Sequence, residues 1–120
     1  MTKAKNSKQY DLEERTLRFA KEVIQLVNIL PKTAANIEVI KQLIRSSGSV
    51  GANYIEANEA LSKKDFTMRI KICRKECKES RYWLRLIEVK RGNTENKQQS
   101  LVNEATELMK IFGSILEKTK

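Results

Sequence analysis

Histidine is absent from the chain. Its absence removes the usual general base near neutral pH and with it the Ser-His-Asp and Cys-His arrangements on which most hydrolases rely. Neither GxxxxGK[ST] nor GxGxxG occurs, so no phosphate-cradling loop is recognisable. Proline occurs once and glycine four times, too little punctuation for a protein of strands joined by turns. No apolar run reaches the roughly 18 residues needed to span a bilayer, and the lysines of MTKAKNSKQY are not followed by the apolar stretch of a signal peptide. The expectation is a cytoplasmic protein without membrane association.

The only cysteines, Cys73 and Cys77, are four apart, a spacing that stacks them on one face of a helix and is not CxxC. With no histidine and no second pair, a structural zinc site would need unusual ligands. Buried, reduced core thiols are expected, and no cofactor is implied.

What the sequence does contain is helical periodicity. A length of 120 residues matches one domain with its own core. Residues 1–10 are polar with three lysines and read as a flexible basic tail, leaving 11–120 as the folded domain. Asp11 is a plausible N-cap, with Glu13 and Glu14 favourable in the first turn. Leu12, Thr16, Phe19, Val23, Leu26 and Leu30 then recur at spacings of four and three, widened by Ala20, Ile24 and Val27, until Pro31 stops the helix.

A second helix is expected to start between Ala35 and Glu38 and to carry Leu43, Ser47, Val50, Tyr54, Ala57 and Leu61 along one seam. Gly48 and Gly51 interrupt its middle, each costing up to about 1 kcal/mol relative to alanine. Either the chain breaks there or the small residues admit a neighbouring helix closely. The seam keeps its register through both, which favours close approach.

Ser62 with Asp65 three residues on resembles a capping box and marks a third helix running to about Arg91. Gly92 and Asn93 supply a stop, and Thr94 can cap a fourth helix bearing Leu101, Ala105, Leu108, Phe112 and Ile115. Short links make sequential helices antiparallel neighbours, so the expected fold is all-α, an antiparallel up-down-up-down four-helix bundle.

At about 100° per residue the third helix divides into three arcs. Phe66, Ile70, Cys73, Cys77, Ser80, Leu84 and Ile87 form the core seam. Met68, Ile72, Trp83 and Leu86 form a second apolar stripe, in which Trp83 has no obvious home within a lone bundle. Self-association through this stripe is favoured over a core contact that merely wraps further round the helix.

Lys64, Lys71, Arg74, Lys75, Lys78, Arg81 and Arg85 fill the remaining arc. Residues 63–91 hold eleven cations against four acids, so this segment carries +7 of the formal +9. A mixed charge run would read as a solvated face, but a stripe of one sign is the footprint expected for polyanion backbones. Lys71, Arg74, Lys75, Lys78, Arg81 and Arg85 are therefore candidate contacts to the phosphates of RNA or DNA, backbone-directed and salt-sensitive because no base-reading motif is present. A basic face meeting an acidic protein partner is the alternative.

The string KECKESRYWLRL, Lys75 to Leu86, and GSVGANYIEANEALSKKDF, Gly48 to Phe66, together resemble the bacterial four-helix-bundle proteins encoded in intervening sequences of 23S rRNA genes. That family is similar to the accessory variability determinant proteins of diversity-generating retroelements. Ser49, Val50, Asn53 and Glu56 carry one distinctive pattern, and Glu76, Cys77, Glu79, Tyr82, Trp83 and Leu84 the other. The chain departs from the family at Ala57, where glycine is frequent, and at Gly51, where proline is frequent; both bear on the bend of the second helix. The resemblance implies a bundle that assembles into a ring-like homopentamer with a basic surface. For the retroelement branch it also implies contacts to nucleic acid and to a reverse transcriptase.

Asn53 and Glu56 lie three apart on one face of the second helix. A single acid without a paired carboxylate or histidine is poor catalytic equipment, and no catalytic residue is assigned. Asn53 and Glu56 are read instead as structural polar groups that bond across to the third helix or to a neighbouring subunit, and Glu79 is read as a structural polar residue with them.

Overall fold

The computed structural model describes the backbone of residues 7–120 and the side chains of residues 12–120. Four helices make up the described chain, with no strand: α1 (Ser7–Asn28), α2 (Ala34–Asn58), α3 (Lys63–Leu86) and α4 (Asn93–Lys118). Helix α1 starts four residues before Asp11, which is therefore not its cap. The first six residues of the expected tail lie outside the described residues.

Thr33 caps α2, its Oγ accepting from the Asn36 amide at 3.1 Å. The helix runs unbroken through Gly48 and Gly51 to Asn58. It stops short of Leu61, which sits in the link at 99% exposure rather than in the seam. Ser62 begins the next helix as its spacing to Asp65 predicts, accepting from the Asp65 amide at 3.0 Å.

The end of α3 differs from expectation, and the reason is tertiary. The helix closes at Leu86, five residues before Arg91, with Ile87 extended. Asn36, buried on α2, takes the Glu88 peptide from outside: its Oδ1 accepts from Glu88 N at 3.0 Å, and its Nδ2 donates to Glu88 O at 2.9 Å and to Pro31 O at 3.0 Å. Gln98 donates to the carbonyls of Leu84 and Ile87 at 2.7 and 3.1 Å. The orphan groups that every helix end presents thus find side-chain partners here. Gly92 then enters α4 at φ 102°, in the left-handed region that glycine tolerates, and occupies the N-cap position expected of Thr94.

Each helix packs on the next in sequence and α4 returns onto α1, while across the diagonal Tyr54 of α2 meets Phe112 of α4 with ring centroids 5.9 Å apart. The α2–α3 pairing is the most extensive. Across it run the hydroxyl pair Ser46–Ser80 at 2.8 Å, the Cys73 thiol to Val50 O at 3.5 Å, and Arg69 Nη1 to Asn53 Oδ1 at 3.0 Å. Most expected seam residues are buried, among them Phe19, Val23, Leu43, Val50, Ile70, Leu84, Leu108 and Phe112. Ile24, expected to widen the α1 stripe inward, is instead half exposed.

The two glycines of α2 behave differently. A Cβ on Gly51 would stand 3.0 Å from Thr16 Oγ1 and 3.3 Å from Thr16 Cβ, so close approach of α1 accounts for this glycine. A Cβ added at Gly48 would meet nothing within 4 Å beyond its own helix.

Cys73 and Cys77 are free and buried. Burial pushes the Cys73 thiol up to about 12 from 9.0 and raises Cys77 as well, the neighbouring Cys73 adding to the effect. Above pH 9 unfolded thiols give up protons that the folded chain retains, so the fold loses stability as pH climbs from 9 towards 12. Melting midpoints should fall over that range, and the fall should be shallower in Cys73→Ala/Cys77→Ala. Asn36→Ala should lower unfolding free energy by about 1–3 kcal/mol in urea titration, since it removes the side chain that ties the Glu88 and Pro31 backbone groups to α2.

Candidate nucleic-acid interface

On α3 each flank is defined by the helix it meets. Ser80, Arg69 and Glu76 face α2, whereas Arg81 and Arg74 face α4, Arg81 Nη1 donating to Thr106 Oγ1 at 3.3 Å. Arg74 lies over Gly113, whose added Cβ would stand 3.8 Å from Arg74 Nε. Helical geometry sets Arg85, Lys78 and Lys71 on this same α4 flank and Lys75 at the outer crest. The six candidate phosphate contacts therefore form one continuous stripe, about 21 Å long at 1.5 Å per residue. All are exposed except half-buried Arg81.

No carboxylate pairs with any of the six among the described residues. The reason is that the mid-helix acids of α3 point the other way. Glu76 and Glu79 turn towards α2, where Arg45 Nη1 reaches Glu76 Oε1 at 3.4 Å and Arg45 Nη2 bonds Glu79 Oε2. Positive charge is left uncompensated along the α4 flank, and uncompensated like charges in a row raise the local potential for anions.

Of the second apolar stripe, Ile72 and Trp83 lie on the α2 flank, while Met68 and Leu86 sit near the outer crest beside Lys75. Trp83 is partly buried against the core cluster, so a lone subunit does house it, contrary to what its place in the stripe suggests. Its indole Nε1 donates to Glu79 Oε2 at 3.0 Å, and Tyr82 meets it edge-on with ring centroids 5.0 Å apart. Glu79 thus joins Arg45 to Trp83. Ile72 is half-buried, while Met68 and Leu86 remain 51% and 52% exposed.

Asn53 and Glu56 part company. Asn53 accepts from Arg69 across the α2–α3 seam and donates to Ser49 O and Oγ, both at 2.9 Å. Glu56 is exposed, with no side-chain partner among the described residues. Nothing in the sequence pattern singles out Arg45, Asn36 or Gln98. All three are ordinary polar residues in amphipathic helices, and only the register between helices shows what they meet.

An open cavity of about 770 Å³ lies at one end of the bundle, with Leu12, Tyr54, Phe66, Ile111 and Ile115 among its lining residues. Among the described residues no group of His, Cys, Asp or Glu could hold a metal ion, and no helix is long and apolar enough to cross a membrane.

The family model of the 23S rRNA-intervening sequence protein matches residues 8–114. A solved structure from Bacteroides thetaiotaomicron, a protein of unknown function from the S23 ribosomal protein family, is 32% identical with a TM-score of 0.75, covering 88% of this chain and 97% of that one. No curated protein matches.

Asn53→Leu should lower unfolding free energy by about 1 kcal/mol, because Arg69 loses a partner across the seam. Glu56→Gln, by contrast, should leave the thermal melt unchanged. Equal effects of the two substitutions would show that the Asn53 bond does not hold the helices together.

Proposed function

This chain belongs to the 23S rRNA-intervening sequence protein family, and from that membership and its charge layout we propose that it is a noncatalytic, oligomeric accessory factor that binds RNA or DNA through the phosphate backbone. The observation that carries the reading is the unpaired cationic stripe of α3, Lys71, Arg74, Lys75, Lys78, Arg81 and Arg85. Phosphate oxygens are the natural counterions for such a stripe, and binding that releases condensed counterions weakens steeply with salt.

The bundle is antiparallel in this reading. Support comes from the pairs Asn36 with Glu88, Ser46 with Ser80 and Asn53 with Arg69, in which one number rises as the other falls. In this reading the protein is cytoplasmic and its subunit contact is the apolar stripe Met68, Ile72, Trp83 and Leu86, while the family resemblance points to a homopentamer and to a reverse transcriptase as one kind of protein partner. Several copies of the stripe in one assembly would multiply the field that anions experience.

Reversal of three charges, Lys71→Glu/Lys75→Glu/Lys78→Glu, should weaken binding to RNA and DNA. On a duplex it should also reduce the slope of log affinity against log salt by about 0.9 for each phosphate that is no longer neutralised. Absence of binding by the unaltered protein at low salt would dispose of the proposal. Copurification of an acidic protein that persists after nuclease treatment would favour a protein-interaction scaffold instead.

A further inference from the structure

All four helices contribute to the cavity at the end of the bundle. Leu12 comes from the first turns of α1, Tyr54 from the last turns of α2, Phe66 from the start of α3, and Ile111 and Ile115 from the last turns of α4. Leu12 and Tyr54 are buried and the other three half-buried, so the interior is apolar. Tyr54 in turn rests against buried Phe112. Packing of α1 on α4 is the least extensive of the four helix pairings, which leaves this end open. A volume of about 770 Å³ falls in the range of small-molecule sites, roughly 300–1,000 Å³.

The mouth has a charge of one sign. Arg15, Lys110 and Lys118 line the cavity, and no carboxylate does. On α4, Lys110, Ser114 and Lys118 follow one another within an arc of about 80°, and Ile111 and Ile115 occupy the arc beside it. A basic lip thus runs along an apolar wall. The acids that border these residues are already engaged. Glu104 accepts from Arg15 at 2.7 and 2.9 Å, and Glu13 accepts from Asn58 Nδ2 at 2.8 Å. Glu107 reaches Lys110 only at 3.7 Å, with both side chains more than half exposed, a geometry that contributes little. Lys118 pairs with no carboxylate among the described residues.

An apolar recess open to water gains by being filled, and a basic lip beside it favours an occupant that ends in an anion. We propose that this cavity binds an aliphatic carboxylate, a fatty acid whose chain lies among Leu12, Tyr54, Phe66, Ile111 and Ile115 while its carboxylate meets Lys110 and Lys118. Ser114, between the two lysines, offers a hydroxyl to the same carboxylate. Residues 1–10 carry three lysines and no acid, so their charge makes them a poor occupant beside such a lip. The site is independent of both phosphate binding and assembly.

Calorimetric titration of the full chain with monomeric decanoate at neutral pH tests this. One decanoate should bind per chain, and each CH₂ added between hexanoate and decanoate should tighten binding about three- to fourfold. Decyltrimethylammonium, with the same chain and the opposite charge, should not bind. Lys110→Glu/Lys118→Glu, at two exposed positions, should melt as the unaltered chain does and bind decanoate roughly tenfold or more weakly. Ser114→Trp should do the same by obstructing the mouth. Lys41→Ala removes a cation about 20 Å away along α2 and should leave the affinity unchanged. Lack of saturable decanoate binding, equal binding of the cationic amphiphile, no dependence on chain length, or unaltered affinity in the folded lysine variant would overturn the proposal. Flotation with phosphatidylglycerol vesicles, without uptake of monomeric decanoate, would assign the lip to a lipid surface and overturn it too.

Discussion

Ser46 and Ser80 share a buried hydrogen bond of 2.8 Å across the α2–α3 seam, and larger side chains at either position would push the two helices apart. Val50, Cys73 and Cys77 keep the rest of that seam compact, and the Cys73 thiol reaches the Val50 carbonyl. Small residues allow close helix packing, and buried polar groups fix the register because an offset would leave them unpaired. Asn36 with Glu88 anchors one end of the seam, and Asn53 with Arg69 lies towards the other. None of the buried side-chain polar atoms among the described residues lacks a partner.

Fixing α3 against α2 also fixes how its charges are distributed. Glu76 and Glu79 fall on the α2 side, where Arg45 pairs with both, and Glu79 accepts from the Trp83 indole as well. Six lysines and arginines fall on the α4 side or the crest, beside Thr106 and Gly113, which offer no countercharge. Rotation of α3 by a quarter turn would bring cations and acids into different company and erase the stripe. The anion-attracting surface is thus a consequence of how the seam packs as much as of composition.

Expectation and structure part where a contact from a distant segment intervenes. Helical periodicity located Phe19, Val23, Leu43, Val50, Ile70, Leu84, Leu108 and Phe112 in the core, because burial follows the 3.6-residue repeat directly. The Ser62–Asp65 cap was equally legible, being local. The end of α3 was not: Asn36 and Gln98 accommodate its terminal peptide groups from elsewhere, and no window around Ile87 contains them. Trp83 pointed to an outside partner ahead of a wider core contact because its ties to Glu79 and the core depend on how the helix is turned. For the glycines of α2 the sequence offered a break or a close approach; the helix runs unbroken through both, Gly51 meets Thr16, and a Cβ added at Gly48 would meet nothing within 4 Å.

By itself the sequence determined the helical class, most of the seam residues of each helix, the buried thiols and the concentration of positive charge between residues 63 and 91. These depend on spacing along one chain and on the cost of exposing apolar surface, which are local properties. Only tertiary structure decided which flank of α3 meets which neighbour, that its acids are paired while its cations are not, and that one end of the bundle is left open as a cavity. Those outcomes depend on the rotation and register of one helix against another, set by buried contacts between residues some 14 to 52 positions apart.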